Sequence, residues 1–232
     1  MAVFVTGDTH GDHDFAKLVR FSRQHEGLTK RDYLIIAGDF GGVWWEPTLE
    51  KDLKPYEALP FTVLFVDGNH ENFSLLGRYP VERWKGGKVH FIKPDIIHLM
   101  RGQVFELEGG TIFTFGGATS IDRVLRREGV SWWKEELPSP AELAEGIANL
   151  KARGNRVDYI ITHSCGERAL MYPPLRTRSF QMDRYPENQM LACFEDVAMY
   201  KRWYFGHYHL DANLNDKMSV LYQAIVPLGE QV

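Results

Sequence analysis

The fold is organised around one stretch, Tyr33-Leu34-Ile35-Ile36-Ala37-Gly38-Asp39. An apolar run rich in Ile and Leu that stops at Gly-Asp is typical of a buried strand, and the side chain that follows leaves the sheet at its carboxyl edge. We therefore expect Asp39 to be displayed at this edge rather than buried. Because a carboxylate has two oxygens, Asp39 is a candidate to bridge two metal ions.

Four other apolar runs end in the same way, each on side chains of the kind that bind metals. In chain order these side chains are Asp8 with His10, Asn69 with His70, His163, and His207 with His209. In an extended segment the side chains at i and i+2 point the same way, so Asp8 and His10 can bind one ion together. Each motif alone could be a turn or a helix cap. Their occurrence in order, with five of the nine histidines, favours a metal site.

The segments around these motifs predict an alternation of strands and helices. In the first third we expect strands over 2–6, 33–39 and 61–66, and helices over 13–25 and within 49–59. Asp12 is expected to cap the first helix. This alternation predicts parallel pairing with right-handed crossovers.

The second half of the chain has a different pattern. Four short β runs between Lys88 and Phe115, some separated by Gly pairs, favour an antiparallel meander. Beyond them we expect helices over 139–153 and 187–200, strands over 157–162 and 203–205, and a final strand pair around 212–215 and 220–225.

Length and composition limit the protein classes. The chain has 232 residues, 44% of them hydrophobic, and a formal charge of −4, which predicts one domain over 1–232 without the basic surface of a protein that coats nucleic acid. An apolar run of membrane length is absent from the sequence, and no basic region precedes the first strand, so we expect a cytoplasmic protein with no membrane association. Cys165 and Cys193 are too few for a disulfide framework and are interpreted as small, mostly buried thiols.

The donor types suggest which metals the site would bind. The predicted ligands are Asp8, His10, Asp39, Asn69, His163, His207 and His209. Oxygen and imidazole nitrogen without thiolate suit Mn, Fe, Zn or Co. We expect two divalent ions, with manganese preferred and nickel also open. Two half-sites that share Asp39 would hold the ions roughly 3.5 to 4 Å apart, and their uncompensated charge would attract phosphate and acidify a bridging water.

Taken together, the ordered motifs closely resemble the calcineurin-like metallophosphoesterase superfamily. The motifs are Asp8-Thr9-His10, Gly38-Asp39, Gly68-Asn69-His70-Glu71, His163 and Gly206-His207-Tyr208-His209. The resemblance implies an α/β fold, a four-layer α/β/β/α sandwich of two mixed β-sheets flanked by helices. It also implies two sets of metal ligands that share Asp39. One set is Asp8, His10, Asp39 and His209, and the other is Asp39, Asn69, His163 and His207.

The resemblance places His70 beside the scissile phosphate, as proton donor or charge stabiliser. The Ser/Thr protein phosphatase branch has Asp and Arg where this chain has Gly42 and Val43. Protein phosphatase activity is therefore not expected, and no partner that orients His70 is predicted.

These motifs predict a dinuclear metal-dependent phosphoesterase that hydrolyses a phosphomonoester or phosphodiester by attack of a metal-bridging hydroxide. A single-strand nuclease is the alternative, although the charge disfavours nucleic acid, and a non-catalytic binding module on the same fold is a further alternative. The substrate is a phosphate ester, with a nucleotide left open, and no protein partner is evident.

Several side chains outside the ligand set are candidates for substrate binding. Arg123, Arg126 and Arg127 follow a Gly-Gly loop, and Arg176 and Arg178 follow His163. The planar guanidinium group of an arginine suits phosphate, but each of these arginines could equally be a solvated surface charge. Four tryptophans could stack on a nucleobase, although core packing or a lid is the better interpretation. They are Trp44, Trp45, Trp132 and Trp133.

Overall fold

The computed structural model describes residues 1–176 and 185–232. The strands of these residues are β1 Val3–Thr6, β2 Tyr33–Ala37, β3 Thr62–Val66, β4 Val81–Trp84, β5 Gly87–Lys93, β6 Ile96–Leu99, β7 Gln103–Leu107, β8 Gly110–Phe115, β9 Tyr159–Thr162, β10 Arg202–Phe205, β11 Ala212–Asn213, β12 Met218–Val220 and β13 Ile225–Pro227.

The α-helices of the same residues are α1 Ala16–Gln24, α2 Leu49–Glu57, α3 Phe73–Leu76, α4 Pro140–Ala152, α5 Pro173–Arg176 and α6 Pro186–Val197. A capping box defines the start of α4, because the Ser139 side chain accepts from the Glu142 N–H and the Glu142 carboxylate accepts from the Ser139 N–H.

Across residues 1–176 and 185–232, every helix is too short or too polar to cross a bilayer. The cytoplasmic location and the single domain stay predictions.

The described strands form two mixed sheets. The first has seven strands in the order β13-β1-β2-β3-β6-β5-β4, and β1, β2, β3 and β6 run parallel. The second has six strands in the order β11-β12-β10-β9-β8-β7, and β8, β9, β10 and β12 run parallel. The parallel pairing predicted for the first three strands is confirmed.

Alternation along β2 shows how the first sheet packs on both faces. Ile35 points toward the second sheet, where it joins an apolar cluster with Phe105 of β7 and Ile161 of β9. Leu34 points the other way and packs in a separate cluster with Leu18 of α1. Adjacent residues of a strand face opposite sides, so an all-apolar strand is buried on both faces.

The second sheet is covered in the same way on its outer face. Ile160 of β9 packs with Leu150 of α4 and Phe194 of α6. Helices on both outer faces and an apolar cluster between the sheets make an α/β/β/α sandwich. The predicted fold is therefore confirmed.

The start of the first helix differs from the prediction. Helix α1 begins at Ala16, after Phe15 at the N-cap position, and no side chain caps it. The prediction that Asp12 is the N-cap was therefore wrong. His10 and Gly11 both have positive φ, at 45° and 66°. Because this conformation is incompatible with an α-helix, the chain turns before the helix begins.

The predicted meander is correct for two hairpins and wrong for the link between them. Strands β5 and β6 pair antiparallel in the first sheet, whereas β7 and β8 pair antiparallel in the second. A turn at Gly102, with φ of 71°, connects the two sheets. Strand β4 was not predicted, because its first three residues are exposed and it has no apolar face.

The C-terminal strands also divide between the sheets. The predicted pair 212–215 and 220–225 corresponds in part to β11 and β12, which pair antiparallel. Residues 220–225, however, include the end of β12 and the start of β13, which pairs with β1 in the first sheet. The Asp211 carboxylate accepts the backbone N–H groups of Tyr222, Gln223 and Ala224, and so holds the turn between these strands.

Candidate metal centre

The predicted ligands lie on loops at the carboxyl ends of five strands. Strands β1, β2 and β3 are neighbours in the first sheet, and β9 and β10 are neighbours in the second. The carboxyl ends of parallel strands meet at one edge of a sheet, where α/β proteins bind their ligands. The loops of both sheets therefore converge at one end of the sandwich.

Asp39 lies between the two sets of predicted ligands. Its Oδ2 is 3.3 Å from Nε2 of His10, and its Oδ1 is 3.2 Å from Nε2 of His163. The side chain is only 2% exposed, so the expectation that Asp39 is displayed rather than buried was wrong. It does leave the edge of its own sheet, but it lies between His163 of the second sheet and the loop of Gly68 and His70 that follows β3.

Asp8 is a fully buried carboxylate with one unsatisfied oxygen. Its Oδ1 accepts the backbone N–H of His207 at 3.0 Å. Its Oδ2 lies 3.1 Å from Nε2 of His209 and 4.0 Å from Nε2 of His10, yet it accepts no hydrogen bond with good geometry from the described residues. Buried polar atoms are nearly always satisfied, so this oxygen fits a metal ligand.

Three groups of side chains could each hold a metal ion, because the donor atoms within each group lie within 4.8 Å of one another. The groups are Asp8 with His10 and His209, His10 with Asp39 and His70, and Asp8 with Asp39 and His163. The other two predicted ligands adjoin the third group. Asn69 Oδ1 is 3.2 Å from Nε2 of His163, and the ring of His207 is 4.9 Å from that of His163 between centroids. The structure thus brings all seven predicted ligands together.

The charge of the two carboxylates makes this pocket strongly attractive to cations. Burial opposes ionisation of Asp39, but His163 and His10 outweigh it and hold the pKa of Asp39 well below its usual range. Burial also opposes the charge of His163, yet Asp39 raises its pKa to about 10. Burial together with the charge of His163 lowers the pKa of His207 to about 3. Divalent ions would compensate the same carboxylate charge.

In two of the predicted histidine ligands, a hydrogen bond to Nδ1 fixes the ring and leaves Nε2 available to an ion. Nδ1 of His10 is 2.9 Å from the Asp14 carboxylate, which also accepts from the Tyr222 hydroxyl. Nδ1 of His163 is 2.9 Å from the carbonyl of Ala37. Metal-binding histidines commonly donate the other ring N–H to a carboxylate or carbonyl, which fixes the tautomer. The role of Asp14 was not predicted, although it follows His10 by four residues.

A buried chain of hydrogen bonds orients the Asn69 amide. Asn69 Nδ2 donates to Ser120 Oγ at 3.2 Å, and Ser120 Oγ donates to Glu136 Oε2 at 2.7 Å. Because Glu136 accepts the hydroxyl hydrogen, Ser120 presents a lone pair to the amide nitrogen. The amide oxygen then faces His163. Ser120 and Glu136 were both missed from the sequence, since nothing in their spacing connects them with Asn69.

Backbone conformation also distinguishes the ligand loops. Positive φ occurs at His10, Asp39, His207 and His209, with values of 45°, 48°, 66° and 47°. Non-glycine residues adopt this conformation at an energetic cost and cluster at functional sites, although Lys85 and Asn155 also adopt it outside the ligand loops. The fold therefore holds four of the predicted ligands in strained backbone positions.

Two glycines of the motifs are required by close approach to the carboxylates. A Cβ atom at Gly68 would lie 2.0 Å from Oδ1 of Asp39, and one at Gly206 would lie 2.2 Å from Oδ1 of Asp8. Any side chain there would displace a predicted ligand. This explains why Gly precedes both Asn69 and His207.

His70 lies at the edge of the centre and contacts an arginine. Its backbone N–H donates to Asp39 Oδ1 at 2.7 Å. Two guanidinium nitrogens of Arg126 lie 3.3 Å from Nδ1 and Nε2 of the His70 ring, and Arg126 also pairs with Asp122 at 2.8 Å. Burial lowers the pKa of His70, the charge of Asp39 acts against this, and the charge of Arg126 lowers it further. The His70 ring therefore lies beside the guanidinium of Arg126 as well as the ring of His10, whose centroid is 5.3 Å away.

The other candidate arginines that the structure describes are on the surface. Arg123 and Arg127 are exposed, and Arg123 lies over the ring of Trp132, 6.0 Å from its centroid. Arg176 is exposed at the end of α5, and Arg178 lies outside the described residues. Substrate binding by Arg123 and Arg127 stays a prediction.

The chain matches the family model of the calcineurin-like phosphoesterases over residues 1–211. No curated protein matches it. Among solved structures, it is similar to the phosphopantetheinyl hydrolase from Mycobacterium tuberculosis, with 17% identity, a TM-score of 0.43, and coverage of 95% of this chain and 88% of that chain. The family match spans all seven predicted ligands. The chain therefore belongs to the calcineurin-like phosphoesterase family and is a metal-dependent phosphoric ester hydrolase.

Proposed function

We propose that the chain is a dinuclear enzyme that hydrolyses a phosphomonoester or phosphodiester with water activated between two divalent ions. The position of Asp39 is the observation that carries this proposal. One of its oxygens lies 3.3 Å from His10 and the other lies 3.2 Å from His163. A buried carboxylate whose oxygens face separate donor groups has the arrangement that a bridging ligand requires.

The surrounding donors divide into two sets around Asp39. We assign Asp8, His10 and His209 to one ion, and Asn69, His163 and His207 to the other. The contacts of Asp8 with His209 and of Asn69 with His163 support this division. Oxygen and imidazole donors suit manganese, our preferred metal, and also Fe, Zn, Co and Ni. Two such ions would polarise the phosphoryl oxygens and lower the pKa of the water molecule that attacks phosphorus.

His70 and Arg126 would act on the substrate side of this centre. With its pKa lowered, the His70 ring is neutral near pH 7 and can donate a hydrogen bond to the leaving oxygen. Arg126 places a guanidinium beside that ring, where it can pair with a phosphoryl oxygen. The two side chains would thus stabilise charge on the leaving group and on the transferred phosphoryl group.

Hydrolysis of matched esters tests this proposal. The protein is stripped with a chelator, reloaded with each metal in turn, and assayed with 4-nitrophenyl phosphate and bis(4-nitrophenyl) phosphate. We expect hydrolysis of at least one ester, and a fall in turnover of about 10²- to 10⁴-fold in His70→Ala, with unchanged metal content. His25→Ala, an exposed histidine at the end of α1, is the control and should match wild type.

Two results would contradict the proposal at different levels. Unchanged turnover in His70→Ala would reject the role of His70 alone. Failure of every metal-loaded form to cleave either ester would reject the hydrolase mechanism.

A further inference from the structure

We propose that a cavity beside the metal centre receives the organic group of the substrate, and that this group carries a flat heteroaromatic ring, as a nucleobase does. The inference rests on the proposed function, because it states which phosphoesters the same centre would select. It adds a binding site to the residues already assigned to the ions and to the phosphoryl group.

The cavity is continuous with the candidate metal centre. It has a volume of 870 Å³ and is lined in part by His10, His70 and His209. A phosphoryl group at the ions, with its leaving oxygen at His70, would therefore direct its organic substituent into this space. Small-molecule sites have volumes of roughly 300 to 1,000 Å³, so the cavity can hold a group of nucleoside size.

Aromatic side chains form the walls of the cavity. Phe15, Trp44, Trp45 and Tyr56 all belong to its lining. Trp45 is 57% exposed, so its indole is accessible to a ligand. An exposed indole next to a phosphate site is a stacking surface for a flat ring.

Contacts within the protein hold two of these aromatic residues, Trp44 and Tyr56, in place before any ligand binds. The ring of Trp44 packs edge to face on Trp133 with centroids 5.5 Å apart, and its carbonyl accepts from Asn72 Nδ2 at 2.8 Å. The Tyr56 hydroxyl donates to the carbonyl of Gly11 at 2.5 Å. A wall that is already ordered loses little conformational freedom on binding, which favours a rigid, flat ligand.

Polar residues around the cavity favour a heterocycle over a hydrocarbon ring. Asp12, His13, Lys51 and Asp52 are exposed and belong to its lining. They offer both hydrogen-bond donors and acceptors. The ring nitrogens and exocyclic groups of a heterocycle can pair with such groups while its face lies on Trp45.

Two ribose phosphates, one with a base and one without, test the inference. Adenosine 5′-monophosphate and ribose 5-phosphate carry the same primary phosphate ester, and only the first has a base. Their inhibition constants against 4-nitrophenyl phosphate are measured with the metal-loaded enzyme. We expect wild type to bind adenosine 5′-monophosphate about 5- to 150-fold more tightly, the range of base stacking on an aromatic side chain.

Three variants then locate the preference. Trp45→Ala should lose most of it, whereas Trp45→Phe should keep much of it, because the phenyl ring still stacks. Val81→Ala removes an exposed apolar side chain on β4, outside the cavity lining, and should match wild type. Equal inhibition constants for the two esters in wild type, or full preference in Trp45→Ala, would overturn the inference.

The design separates this inference from the proposed function. If 4-nitrophenyl phosphate is cleaved but the two esters bind equally, the cavity assignment fails and the hydrolase proposal stands. If no ester is cleaved, binding of the same two compounds is measured by calorimetry. A preference for adenosine 5′-monophosphate that Trp45→Ala abolishes then supports the cavity assignment, and equal binding overturns it.

Discussion

Ser120→Ala tests whether a buried chain of hydrogen bonds holds a metal ligand. The substitution removes the acceptor of Asn69 Nδ2 at 3.2 Å and a donor to Glu136 Oε2 at 2.7 Å. A neutral hydrogen bond contributes about 0.5 to 1.5 kcal/mol, and one to a charged group about 1.5 to 3 kcal/mol. We therefore expect the free energy of unfolding to fall by about 2 to 4.5 kcal/mol.

The effect on metal binding should be separate from this loss of stability. Without Ser120 Oγ the Asn69 amide is free to rotate, so its oxygen no longer faces the ion constantly. Loss of such a supporting group commonly lowers metal affinity by about 10- to 100-fold. We expect this loss for one ion only, because the contacts of Asp8 and His10 do not involve Ser120.

Thr119→Val provides a matched control. The Thr119 hydroxyl donates to Glu187 Oε2 at 2.7 Å and is buried in the same loop, but its partner is not a predicted ligand. Urea unfolding should show that both variants are less stable than wild type. Calorimetric titration of the metal-free proteins with Mn²⁺ should show weakened binding in Ser120→Ala alone. Equal affinity for both ions in Ser120→Ala and wild type would refute the reasoning, as would the same loss in Thr119→Val.

Three further predictions concern other parts of the structure. Asp14→Asn should lower the affinity for one of the two ions by about tenfold in the same titration, since it disturbs the hydrogen bond between Asp14 and His10. Unchanged affinity would contradict this prediction. Arg126→Met should lower kcat/KM by about tenfold or more at constant metal content, because a charged partner of the phosphoryl group is lost. Full activity would exclude the proposed contact between Arg126 and the phosphoryl group. Burial raises the pKa of Glu195 to about 7 from 4.5, so its contribution to stability is complete below pH 4.5 and is lost as pH rises through 7. Wild type should therefore lose more unfolding free energy between pH 5 and 8 than Glu195→Gln, and equal losses would contradict this.

The sequence predicts the convergence of the ligands because each of them follows an apolar run. Parallel strands end at a common edge, so Asp8, Asp39 and Asn69 were expected to meet, and the structure brings them together. Burial of Asp39 was not predictable from its own strand, since the loops that pack on it follow other strands, β3 in the same sheet and β9 in the second. Periodicity along one strand contains no information about what lies opposite it.

Interactions between distant segments account for the rest of what was missed. Ser120 and Glu136 act on Asn69 from positions 51 and 67 residues away along the sequence, with no shared motif. The hairpins between Lys88 and Phe115 were predicted correctly, but their apolar pattern is the same whether they share a sheet or not. Tertiary packing decides both features.

The number of metal ions per chain, in wild type and in Asp39→Asn, tests the central claim most directly. Asp158→Asn is the control. Asp158 directly precedes β9, at the opposite end of the strand from His163, and its carboxylate accepts the backbone N–H of Thr111. Two-metal chemistry predicts about two ions per chain in wild type and in Asp158→Asn. Asp39→Asn should hold fewer and lose turnover with them. A single ion in wild type, or two ions retained in Asp39→Asn, would contradict a bridging carboxylate.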